Sequence, residues 1–186
     1  RTRRNIRRTW WKGRCGRGDA KRAVVDGVMK SLETGFVYTS HDMSQDFLDE
    51  VYGMLGEFFS KTFQEKEKAK ADGTNGQRGY TGLLVETAAI SDVPDWKEML
   101  NWVKDIPEGH PLKNRYPHRF FNNVFPEELV PGITQTLEKF HDQVLDLQLR
   151  FLRIIATGLK ASEAFFDSFV PGGATLTRAI NYPAMN

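Results

Sequence analysis

The feature that most constrains this chain lies late in it. Ile133, Leu137, Phe140, Val144, Leu147, Phe151, Ile154 and Ile155 recur at three- and four-residue spacing, which predicts an amphipathic helix of about seven turns. Pro131 sits at an N1-like position, where its missing N–H costs nothing, so the helix is expected to start there. A helix that long with one apolar stripe requires another layer to cover it.

Other segments can supply that layer. Val24, Val25, Val28, Met29 and Leu32 predict a helix between Asp19 as N-cap and Gly35 as C-cap. Phe47, Leu48, Val51, Leu55, Phe58 and Phe59 predict a second behind Ser44, with the polar run 64–70 as its solvated end or a short helix of its own. Ser162 predicts a short last helix through Phe169. Phe36–Thr39 and Tyr80–Val85 have the β-branched and aromatic character of short strands. In the closing run ATLTRAINYP, residues Arg178, Ile180 and Tyr182 alternate, and as a strand they share one face. The Gly- and Asn-rich stretch 72–79 reads as a loop, and Ala88–Pro94 as a surface excursion. The following 30 or so residues, rich in Pro and Asn, read as a long irregular connection, a length that in a compact domain suggests it lines something. The pattern is α+β and mostly helical.

Composition bounds the rest. With 186 residues, 40% hydrophobic and 27% charged, the chain suits one globular domain. The net charge of +2 is unevenly spread, because Arg1, Arg3, Arg4, Arg7, Arg8, Lys12 and Arg14 crowd the start. Residues 1–17 are expected to be a basic, solvated or non-native arm and 18–186 the domain; the arm's arginines and Trp10 and Trp11 would suit nucleic acid, but a solvated terminus explains them without a nucleic-acid partner. The arm lacks the apolar core of a secretory signal, and no run approaches the roughly 20 apolar residues of a membrane span. Cys15 stands alone, which excludes an internal disulfide and a cysteine-based zinc site and fits a cytoplasmic location.

Taken in order, Glu33-Thr34-Gly35-Phe36, Arg78-Gly79-Tyr80, Asp95-Trp96-Lys97-Glu98, the long helix and Arg178…Tyr182-Pro183 resemble the N-terminal half of the isopenicillin N synthase-like family of non-haem iron(II) oxygenases, most of which use 2-oxoglutarate. The resemblance spans roughly Asp19 to Asn186. It implies a helical region plus the first strands of a double-stranded β-helix, or jelly roll, incomplete in this chain, and an oxidoreductase acting on a small molecule with Fe(II) and 2-oxoglutarate as cofactors. The stretch from Arg78 to Trp102 then resembles a wall of the substrate cavity. By the same resemblance Arg178 faces substrate or co-substrate, Tyr182 faces the co-substrate, Arg78 meets a substrate carboxylate and Tyr80 borders the cavity. Considered as residues alone, Arg178 also fits a salt bridge, Tyr182 and Tyr80 a core, and Arg78 the surface. Glu86 and Glu98 invite comparison with a glycosidase acid pair, but pairing with Lys97 or an arginine is the simpler reading.

The departures from the family decide what the chain can do. Its iron is held by two histidines and a carboxylate, written H-x-D with a distant second histidine. Two positions after His41, His110, His118 and His141 stand Met43, Leu112, Phe120 and Gln143, so the motif occurs nowhere. His41-Asp42 is the nearest approach, but adjacent residues of an extended segment point to opposite faces. His141 is expected as a hydrogen-bonded histidine on the helix surface. No catalytic residue and no metal ligand is assigned. The expectation is a chain cut off before its chemistry begins, inactive as such and prone to self-association through an uncovered core. An iron oxidase that dispenses with 2-oxoglutarate and a catalytically inert helical scaffold are the alternatives.

Overall fold

A computed structural model describes residues 18–90, 92–170, 173 and 175–185, so the basic arm expected at 1–17 lies outside the described residues. The helices follow their caps. Helix α1 (Gly18–Leu32) ends at a turn in which Gly35 has φ +76°, and α2 (Gln45–Ser60) opens with the Ser44 side chain accepting a hydrogen bond from the Phe47 amide. Helix α3 (Phe63–Glu67) is short and is held by a capping box between Thr62 and Glu65. Two strands follow, β1 (Gly79–Thr81) and β2 (Glu98–Val103), then α4 (Pro111–Arg115), a 3₁₀ turn at Pro117–Arg119, α5 (Ile133–Gly158), a second 3₁₀ turn at Phe165–Ser168 and β3 (Leu176–Asn181). Among the described residues no helix is long and apolar enough to cross a membrane.

The packing forms two compact units. One comprises the residues up to Met43 with Asp146–Pro171, the other Ser44–Leu145 with Gly172–Asn186. In the first, α1 lies so close to α5 that a Cβ on Gly158 would sit 2.5 Å from the Met29 side chain. Ion pairs from Arg153 to Asp167, Arg150 to Asp42 and Lys21 to Glu163 fasten its periphery. The second unit holds the sheet.

In that unit β1, β2 and β3 form an antiparallel sheet with β2 in the centre. Phe47, Val51, Leu55 and Phe58 of α2, Ile133 and Leu137 of α5, and Val130 pack with Tyr80, Leu100 and Trp102 into one core. The Trp102 indole donates to the Leu137 carbonyl at 3.1 Å, and the Tyr80 ring meets Phe58 edge-on at 5.8 Å.

Several expectations are corrected. Phe36–Thr39 forms no strand; Phe36 and Tyr38 are exposed, and among the described residues no strand pairs with them. β1 stops at Thr81, and Leu84, at φ +60°, turns the chain into a loop tied back by the Leu84 amide to Asp95 and the Asp95 amide to Glu86. α5 begins at Ile133 and not at Pro131, because Gly132 at φ +85° breaks the turn and the Glu127 carboxylate caps the amides of Gly132 and Thr134. The helix expected after Ser162 is only a 3₁₀ turn. The stretch read as irregular after Pro94 contains the central strand β2, all six of whose residues are buried.

The sheet is fastened by a buried carboxylate. Glu98 Oε2 accepts from Lys66 Nζ at 2.7 Å and from the Tyr80 hydroxyl at 2.6 Å, and Oε1 accepts from Asn181 Nδ2 at 2.9 Å. For Glu98 this pairing replaces the expected one with Lys97 or an arginine, whereas Glu86 does pair with Lys97, which also binds Asp95. Burial by itself would raise the Glu98 pKa, but the bonds from Lys66, Tyr80 and Asn181 outweigh it and hold the group ionised below the usual glutamate range. Burial and the Glu98 carboxylate push the Tyr80 pKa up, so its hydroxyl stays a donor. Replacing one partner strands the other charge. Glu98→Gln is therefore expected to cost about 3 kcal/mol in urea unfolding, and the double change Lys66→Met with Glu98→Leu less than that single change; a larger loss in the double variant would contradict this account.

Candidate functional site

Side chains of adjacent strand residues point to opposite faces, while directly paired residues share one. Tyr80, Leu100 and Ala179 align across the sheet, and so do Gly79, Asn101 and Arg178 in the next row. The first row belongs to the helix-backed core, so Arg178 projects from the other face, where it is exposed together with Ile180. Tyr80 and Arg178, both expected at the substrate cavity, thus lie on opposite faces. Tyr80 is buried and its hydroxyl is engaged by Glu98, which makes it part of the frame.

Arg178 is held at its root. Its Nε donates to Asn101 Oδ1 at 2.9 Å, and Asn101 Nδ2 donates to the Gly76 carbonyl at 2.8 Å. Among the described residues no carboxylate pairs with it, and its outer Nη atoms are not taken up by the bond to Asn101. Tyr182, just past the strand, is exposed, and the chain beyond it is pinned by the Trp96 indole donating to the Pro183 carbonyl at 2.9 Å.

Arg78 is buried, not superficial. Its Nε donates to the Phe121 carbonyl at 3.3 Å and Nη1 to the Gln77 carbonyl at 2.7 Å. Burial lowers its pKa, partly opposed by Asp105, and among the described residues no acid forms an ion pair with it. Beside it Asn123 exchanges two hydrogen bonds with the Val103 backbone, at 3.0 and 2.8 Å, as an extra strand residue would. The Pro-rich connection is thereby fastened along β1 and β2. Nothing local in the sequence marks Asn101, Asn123 or Lys66, because β2, buried on both faces, carries no alternating pattern.

The histidines do not assemble a metal site. His41 and His118 are exposed, and His110 Nδ1 accepts from the Leu112 amide at 3.2 Å as the N-cap of α4. His141 is not on the helix surface as expected; it is buried, with Nδ1 2.7 Å from Thr177 Oγ1 and a buried Nε2 that has no hydrogen-bond partner among the described residues. Among the described residues no three His, Cys, Asp or Glu side chains converge. These residues do not fit an iron ion.

The chain belongs to the family described as non-haem dioxygenase in morphine synthesis, N-terminal, whose model matches residues 14–128. It is 29% identical over 140 residues to azadirone synthase LFS of Melia azedarach, covering 73% of this chain and 40% of that protein. It is 25% identical over 171 residues to the 2-oxoglutarate-Fe(II) type oxidoreductase hxnY of Emericella nidulans, covering 90% and 49%. Its fold matches a crystal structure of a 2OG-Fe(II) oxygenase family protein from Caulobacter crescentus with a TM-score of 0.77 at 27% identity, over 90% of this chain and 53% of that one. The chain thus spans about half the length of the relatives it matches.

Burial lowers the His141 pKa, with Asp142 opposing and Lys104 reinforcing, so the folded protein holds the ring neutral below its ordinary titration range. The unfolded chain binds that proton first as pH falls, so the stabilisation is complete above the unfolded pKa and is lost below it. Urea unfolding is expected to show declining stability between about pH 7 and 5, a slope that His141→Gln reduces; an unchanged slope in the variant would contradict this.

Proposed function

We propose that this chain forms the N-terminal part of an Fe(II)- and 2-oxoglutarate-dependent oxygenase acting on a small molecule, and that it contributes carboxylate-binding groups but no iron ligand. The observation that carries the reading is Arg178, an exposed cation held by a neutral amide and lacking an acidic partner among the described residues. A guanidinium in that state is matched to carboxylate, and both 2-oxoglutarate and many oxidised metabolites present one. Tyr182, exposed on the same stretch, would add a hydroxyl donor to such an anion, and buried Arg78 a second cation for a substrate carboxylate. Tyr80 serves the reading indirectly, by binding the Glu98 that fixes β1 to β2 and β3.

Bound iron and 2-oxoglutarate would supply the oxidising chemistry in a complete enzyme of this kind. The residues of this chain would orient carboxylates. The absence of an H-x-D sequence, together with the scattered histidines, supports the reading that these 186 residues perform no turnover alone. Anaerobic addition of Fe(II) and 2-oxoglutarate to the chain is therefore expected to give no visible charge-transfer band. Such a band would mean that the ligands lie within this sequence, and the proposal would have to be abandoned.

A further inference from the structure

We infer that Asn101 is the positioning residue of this site: its buried amide aims the outer Nη1–Nη2 edge of Arg178 away from the helix-backed core as a receptor for one carboxylate of an aliphatic ligand. The inference rests on the carboxylate-facing role proposed for Arg178 and adds what orients it.

Asn101 is fully buried at the centre of β2, with Arg178 opposite on one side and Gly79 on the other. Both ends of its amide are engaged, Oδ1 by Arg178 Nε and Nδ2 by the Gly76 carbonyl. The carbonyl decides the orientation: a flipped amide would set NH₂ against the Arg178 N–H and oxygen against oxygen. Gly76 reaches this position because it has φ +69° and no side chain; a Cβ there would stand 3.1 Å from Thr81 Oγ1. Its loop is set in turn by buried Thr74, whose hydroxyl donates to the Ala71 carbonyl at 2.7 Å and whose carbonyl accepts from the Gln77 amide.

The choice of asparagine has a chemical consequence. A guanidinium offers two forks, a side edge that includes Nε and an end edge formed by Nη1 and Nη2. With Nε on Asn101, the end edge remains for a ligand. An aspartate at the same distance would hold Arg178 as well but would cancel its charge. The neutral amide fixes direction and leaves charge for the ligand. Ile180, partly exposed two residues along the same face, supplies an apolar neighbour for the carbon chain behind the carboxylate.

The test uses phenylglyoxal, which modifies accessible guanidinium groups, with peptide mass spectrometry to follow Arg178 against exposed Arg119 and glutarate as the competing carboxylate. Glutarate is expected to slow modification of Arg178 but not of Arg119. Asn101→Ala should raise the half-protecting concentration about tenfold, the equivalent of losing one oriented charged contact. Asn101→Asp keeps the shape of the residue and should abolish protection even where circular dichroism shows a native melt, an effect that a purely structural role for Asn101 would not produce. If the Ala variant does not fold, the Asp variant decides. Protection at the wild-type concentration in Asn101→Asp overturns the positioning role and leaves the reading of Arg178 intact. Absence of protection in the wild-type chain overturns both.

Discussion

The buried carboxylate of Glu98 is the interaction on which the sheet-bearing unit depends. It is bonded by Lys66 of α3, Tyr80 of β1 and Asn181 of β3, so a single side chain of the central strand gathers one helix and both neighbouring strands. An ionised group with so little water around it is tolerable only because its bonds come from a cation and two neutral donors. The same need makes the arrangement specific. A one-residue slip of β2 would drive Glu98 to the other face and leave Lys66 buried without its partner.

That register is what separates the two faces. Leu100 and Trp102 follow Glu98 onto the side packed by α2 and the first half of α5, while Asn101 falls on the other side, within reach of Arg178 and Gly76. The packed core and the exposed cation Arg178 are thereby divided by the alternation of one six-residue strand. Phe58, Tyr80 and Trp102 make the floor rigid, and the polar row above it can present a charge without compromising the core. The Nε bond to Asn101 restricts the rotamers of Arg178, which is what the proposed carboxylate role asks of it.

The sequence made the helices legible and left the centre of the sheet obscure. Ser44, the Phe47 to Phe58 face and the long stripe from Ile133 are local signals, and the structure follows them. Glu98–Val103 carries no such signal, because a strand buried on both faces does not alternate, and its Glu and Asn resemble loop residues until their partners at Lys66, Asn181, Arg178 and Gly76 are known. For the same reason Phe36–Thr39 misled: its composition suits a strand, but strand formation needs a partner backbone, and none pairs with it among the described residues. Family order drew attention to Arg78 and Arg178 as cations, yet only the register shows that Arg178 stands apart from Tyr80 and that an asparagine lies beneath it.

The central claim is that the strand carrying Arg178 is coupled to the helix-backed core through Glu98. Native-state hydrogen exchange on the amides that join β3 to β2 tests it most directly. The account predicts that these amides open together with those between β1 and β2, at a common free energy, and that Glu98→Gln lowers both sets in parallel. Exchange of the β3 amides through independent local fraying, unaffected by Glu98→Gln, would contradict it.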